Sequence, residues 1–145
     1  MLPAFAPFTG LLLPLIIVTT PCPTLCTCVP LTTEQKYRLA DEVFLAEVVA
    51  LEEIPNTRGE GSSTWAIVQV TRRIKGEPPT QLGLPSGLGP DCLVDFQLGE
   101  RYLVFANRHG DQRATSWCAG SALLLTEHAQ RRMAEVEALA AARNE

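Results

Sequence analysis

No Asp, Glu, Lys or Arg occurs before Glu34, and histidine is limited to His109 and His128. The scarcity of histidine leaves no paired zinc-helix histidines, and neither a nucleophile elbow nor a phosphate-binding glycine loop accompanies the two present. His109 falls in a polar turn and His128 at a helix start, so both read as surface residues. The adjacent carboxylates Glu52 and Glu53 read as a solvated strand end. An enzyme is not expected. Basic residues are also outnumbered: 12 Lys and Arg against 16 Asp and Glu give a formal charge of -4. No net basic field would draw a phosphate backbone, which excludes nucleic acid as a partner. The local cluster Arg72, Arg73 and Lys75 reads as a solvated strand end.

The uncharged N-terminal stretch contains the apolar run Leu11–Val18, interrupted by Pro14. Its length suits the h-region of a secretory leader and is too short to cross a bilayer comfortably. Residues 1–25 are therefore expected to be a signal peptide, and 26–145 a single exported domain, secreted or periplasmic and monomeric. Read as one piece, Leu2–Val18 approaches spanning length, so an uncleaved anchor is the alternative. Cys22 and Cys26 lack the small preceding residue wanted for lipid attachment. A membrane link is expected only if the leader is retained or lipidated.

Behind the leader, Thr32 followed by Gln35 fits a capping box, and Glu34 precedes Arg38 by four residues, which predicts a short helix within Leu31–Asp41. Glu42–Ile54 reads as a long strand buried on both faces, and Asn56–Ser63 as a loop. Trp65–Ile74 reads as a strand with Ala66, Val68, Val70 and Ile74 on one face. Gly76–Pro90 leaves room for one short strand near Gln81–Leu84. Cys92, Val94 and Phe96 alternate with Asp95 and Gln97, Leu98–Glu100 turns into a strand at Tyr102–Ala106, Asn107–Arg113 turns again, and Ala114–Cys118 is the last strand. Thr126–Arg143 is the clearest helix. Thr126 caps it, Ala129, Met133, Val136 and Ala140 form its apolar stripe with Leu139 beside them, and Arg131, Arg132, Glu135 and Glu137 belong to its solvated face. Trp65, Tyr102 and Trp117 are expected in the core. Short strands broken by turns, with a helix at either end, predict a mainly β protein of the small closed-barrel class, OB-fold-like, with a sandwich as the alternative.

Of five cysteines, Cys22 lies close enough to the leader to be removed with it. Cys26 and Cys28 are too near in sequence to bond each other comfortably, so each needs a distant partner in Cys92 or Cys118. Two connectivities fit. Either closes loops of more than 60 residues, each worth about 4 kcal/mol on the chain-entropy model. A structural zinc site is the competing use of four cysteines, but such sites usually pair ligands two to four residues apart. An exported chain favours disulfides.

Several segments together resemble the netrin-like module. They are Cys26-Thr27-Cys28-Val29-Pro30, the strand Val43-Phe44-Leu45-Ala46-Glu47-Val48, the segment Ile74-Lys75-Gly76, Cys92 ahead of Phe96-x-x-Gly99-x-x-Tyr102-Leu103-Val104, and Thr115-Ser116-Trp117-Cys118 before a helix. Within that group the start is most similar to the tissue inhibitors of metalloproteinases. The resemblance spans Cys26 to about Leu139. It implies a five-stranded OB-type closed barrel, stapled by Cys26–Cys92 and Cys28–Cys118. It implies no cofactor of the chain's own and, as partner, a zinc metalloproteinase. The α-amine and carbonyl oxygen of Cys26 would chelate the protease's catalytic zinc. Thr27 would face the specificity pocket, Val29 and Pro30 would follow the substrate cleft, and Asp91 with Cys92 would abut its other side. The chain departs from the family in Leu93, where glycine commonly follows the barrel cysteine. Leu25 departs from the small residue usual at a cleavage site, and cleavage upstream would leave Cys26 acylated and unable to chelate. The alternative is a netrin-like protein-binding module without inhibitory activity.

Overall fold

The computed structural model describes residues 26–56, 61–88 and 92–143. The expected leader 1–25, Cys22, Asp91 and most of the loop between Asn56 and Ser63 lie outside them. Chain order is α1 (Thr33–Leu39), β1 (Glu42–Pro55), β2 (Ser62–Lys75), β3 (Gln81–Ser86), β4 (Arg101–His109), β5 (Gln112–Ala114), β6 (Ala122–Leu123) and α2 (Glu127–Ala142).

One antiparallel sheet carries the fold, ordered β3-β2-β1-β4-β5, with β6 also pairing β4. β1 and β2 form a long hairpin that runs from Val43 opposite Lys75 to Pro55 opposite Ser62, and its register slips near Val43, Leu45 and Val48. Each slip adds local twist, and the sheet curls into a half-barrel.

Curling explains why the first half of β1 is apolar on both faces. Phe44, Ala46 and Val48 point into the concave side with Ala66, Val68, Leu84, Val104 and Tyr102. Val43 packs on the convex side with Leu103 and Phe105, against Tyr37 and Ala40 of the α1 region and Val136 of α2. Beyond Val48 the expectation of burial on both faces fails, because the hairpin outruns its cover and Val49, Leu51 and Ile54 are exposed. The stripe expected along β2 is likewise divided: Ala66, Val68 and Val70 belong to the concave cluster, whereas Ile74 packs with the helices.

The segment after Cys92 keeps its alternation without joining the ladder. Val94 and Phe96 are buried, and Phe96 meets the Tyr102 ring edge-on with centroids 4.7 Å apart. Side chains accept what a neighbouring strand would have taken: Phe96 N–H donates to Ser86 Oγ at 3.0 Å and Gln97 N–H to the Tyr102 hydroxyl at 2.9 Å.

Both helices start where their caps predict. Thr32 and Gln35 form a reciprocal capping box at α1, and the Thr126 side chain accepts from Ala129 N–H at α2. The C-terminal end of α1 is closed by Lys75, whose Nζ donates to the carbonyls of Tyr37 at 2.7 Å, Arg38 at 3.2 Å and Ala40. Orphan carbonyls at a helix end need such a donor. The expected solvated cluster on β2 is thus largely engaged within the chain: Arg72 pairs with Glu137 of α2 and Arg73 Nε donates to Pro78 O.

Three further expectations are corrected. The last strand is not Ala114–Cys118, since the chain leaves the ladder after Ala114 and turns through residues 117–120 before β6. Trp117, on that turn, is 40% exposed and lies outside the core. Arg132 is not on a solvated face. Its guanidinium donates to Gly120 O and lies against His128 Nε2 at 2.6 Å, and desolvation holds its pKa below the ordinary value, partly countered by Glu135.

Candidate functional site: the disulfide-pinned segment

Cys26–Pro30 has no regular secondary structure, so its position depends on crosslinks. Cys26 bonds Cys92 with Cα atoms 5.3 Å apart, and Cys28 bonds Cys118 at 5.2 Å. Of the two connectivities open from spacing, this is the one adopted. Two anchors one residue apart leave the intervening Thr27 little freedom to turn away. Cys26 is half-buried, while Thr27, Cys28, Val29 and Pro30 are exposed. Val29 is 74% exposed.

The anchoring loops are themselves held. Trp117 N–H donates to Cys92 O at 3.0 Å, so the two loops carrying the distant cysteines are joined through backbone. Cys92 has a φ of +57°, a left-handed conformation that L-residues adopt at a cost of about 1–2 kcal/mol. In the turn that carries Cys118, Gly120 N–H donates to Trp117 O at 3.1 Å. Gly120 has a φ of +117°, and a Cβ there would meet Phe105 and Lys36 atoms at 3.2 Å. Buried hydroxyls complete the tether. Phe105 N–H donates to Ser121 Oγ at 2.8 Å, Thr115 Oγ1 donates to Phe105 O at 2.8 Å, and the two hydroxyls lie 2.6 Å apart. The Cys118 loop is thereby fastened to β4 on both sides.

Charged side chains lie behind the loop. Lys36 is shifted below the usual lysine range, by desolvation first and by the Arg132 charge second. On the neighbouring strands Glu42, 1% exposed, accepts both a 2.8 Å and a 3.1 Å bond from Arg113. That pairing raises the Arg113 pKa and gives the buried carboxylate both a charge partner and two hydrogen bonds.

Cys26, Thr27, Cys28, Val29, Pro30 and Cys92 are brought together on this frame, with Cys118 as the second anchor; Asp91 falls outside the described residues. Two neighbours escaped the sequence reading. Leu88, 85% exposed, lies just upstream of Cys92, and exposed Trp117 immediately precedes Cys118. With Val29 they put a large apolar side chain on or beside each of the three segments that the bridges tie together. An alternating pattern assigns such residues inward by default, and only the turn geometry reverses Trp117. His109 and His128 are both exposed, as expected. Among the described residues, the four Sγ atoms of the bridged cysteines lie within 4.8 Å of one another, and they are taken up by the two disulfides. A cleft of roughly 540 Å³ on the helix side, lined by Tyr37, Lys75, Leu139 and Arg143 among others, shares no residue with the pinned segment. Among the described residues, no helix is long and apolar enough to cross a membrane. Compared with protein-family models and with curated proteins, the chain matches none.

Proposed function

We propose that this chain is an exported netrin-like protein of the metalloproteinase-inhibitor type, which blocks a zinc protease with its own mature N-terminus. The observation that carries the reading is the Cys26–Pro30 segment, half-buried at Cys26 and exposed from Thr27 on, fixed by Cys26–Cys92 and Cys28–Cys118. Completion of the curled sheet into a five-stranded OB-type barrel, with the segment after Cys92 along its open side, belongs to the same proposal.

The chemistry follows from the backbone of one residue. A catalytic zinc keeps one position for water beside its protein ligands. With cleavage before Cys26, the α-amine and the Cys26 carbonyl oxygen close a five-membered chelate on that zinc and displace the water. The amine binds in its neutral form, which its reference pKa of about 7.7–8.0 makes accessible near neutral pH. Thr27 then enters the pocket beside the metal, while Val29 and Pro30 continue along the cleft. Leu88 and Trp117 supply apolar contact on either side of the cysteines. Because two crosslinks have already removed the freedom of the segment, association loses less ordering entropy than a free peptide would.

N-terminal sequencing of the exported protein, combined with inhibition assays on a panel of zinc metalloproteinases, tests the reading. A first residue of Cys26 and inhibition abolished by acetylating the amine are expected. A mature chain that begins upstream and still binds its partner would instead support the non-inhibitory binding module.

A further inference from the structure

The long hairpin leaves part of the sheet without a neighbour. β4 pairs β1 only over Glu42–Glu47, and the next backbone bonds on that side join Val48 to Gly99 and Glu100. From Ala50 to Pro55, β1 is paired with β2 on one side, and among the described residues no strand lies on the other. A bare edge is a row of unpaired N–H and C=O groups, which proteins usually cover or keep very short. This one also carries Val49, Leu51 and Ile54, all exposed. None of the three packs in either core cluster.

Along the edge the order is Leu51, Glu52, Glu53, Ile54, with two adjacent exposed carboxylates between apolar side chains. That order decides what can pair with it. A second copy, aligned antiparallel so that Leu51 meets Ile54, sets each Glu52 opposite the other copy's Glu53. Like charges directly opposite are destabilising. A segment with two adjacent basic residues between apolar ones reverses the sign and keeps the apolar matches. Neighbouring residues of a strand face opposite sides of the sheet, so the two ion pairs form on different faces and do not compete.

We propose that the outer edge of β1, residues 50–55, docks a partner protein by strand addition, and that the docked segment is extended and carries a dibasic pair flanked by apolar residues. Backbone hydrogen bonds supply the attachment, while Glu52 and Glu53 select the partner. The formal charge of the chain, -4, favours the approach of a basic segment at low salt. The inference does not involve Cys26, its amine or the bridges, so it stands or falls apart from the inhibitor reading.

The test titrates the oxidised full-length chain into a fluorescent synthetic peptide, two adjacent lysines flanked by valines, and follows anisotropy at low salt. Saturable binding is expected, and replacing the lysines by glutamates should abolish it. Glu52→Gln combined with Glu53→Gln should weaken it at least about threefold, the size expected of two cross-strand ion pairs. N-methylation separates backbone pairing from charge attraction, because alternate N–H groups of an added strand point towards β1 and away from it. Methylating one alternate set should abolish binding, and methylating the other should leave it. Absence of binding, binding indifferent to the two glutamate changes, or the same response to both methylated sets would each overturn the proposal. So would a dimer of the peptide-free chain that the peptide dissociates, since it would assign the edge to a second copy.

Discussion

Ser121 shows how a residue far from the exposed segment determines where that segment sits. Its hydroxyl accepts from Phe105 N–H inside β4 and lies against Thr115 Oγ1, so it fastens the loop that carries Cys118. Replacing a buried acceptor while its donor stays behind leaves the donor unsatisfied, at a cost of about 1–3 kcal/mol. Ser121→Ala is accordingly expected to lower stability by that amount in urea denaturation, without loss of the Cys28–Cys118 bridge. Gly120→Ala tests the adjoining turn. It combines a φ of +117° with a Cβ approach of 3.2 Å to the Phe105 ring, and is expected to lower the melting temperature by several degrees, about 1–2 kcal/mol. Neither role is legible in sequence, because an adjacent glycine and serine read as ordinary turn formers. Trp117 is the opposite case. Its size predicts burial, but the turn it occupies faces away from the half-barrel.

At the scale of elements, starts were more legible than ends. Thr32 with Gln35 and Thr126 announce their helices because a cap is a local device, complete within four residues. Lys75 closes α1 from a distant strand, and nothing local reveals it. Its three carbonyl contacts predict that Lys75→Met, which keeps the aliphatic stem, destabilises the domain by about 1–3 kcal/mol. Thermal unfolding should show a loss at least as large as that of Thr32→Ala, about 1 kcal/mol. Each long strand of the hairpin is legible from its apolar content, whereas their pairing with each other is seen only in the fold. Where the two-face burial of β1 stops is not legible, since this depends on how far α1 and α2 reach across the convex face. The segment after Cys92 shows the same limit: its alternation correctly marks Val94 and Phe96 as core, while side chains of Ser86 and Tyr102 take over the bonds of a ladder.

For the whole molecule, the bridges connect stability with the proposed activity. They enclose 66 and 90 residues of chain separation, and each is worth about 4 kcal/mol through the unfolded state. Spacing alone leaves two pairings open, and the folded chain has Cys26 with Cys92 and Cys28 with Cys118. In the chain beginning at Cys26, a Cys28→Ser, Cys118→Ser double variant, with no thiol left to mispair, is expected to lose about 4 kcal/mol in denaturant titration. Inhibition, if the amine of Cys26 is the ligand, should carry a proton dependence of definite sign. Protonation competes with the metal, so affinity falls about tenfold per pH unit below the amine pKa of about 7.7–8.0 and levels off above it. The most direct measurement compares two forms of the protein against one zinc metalloproteinase: the chain beginning at Cys26 and the same chain with one alanine placed before it. The extra residue turns the amine into an amide and leaves both bridges intact. Inhibition weakened at least about a hundredfold, roughly 3 kcal/mol, is the expected result; equal inhibition by the two forms would contradict the account.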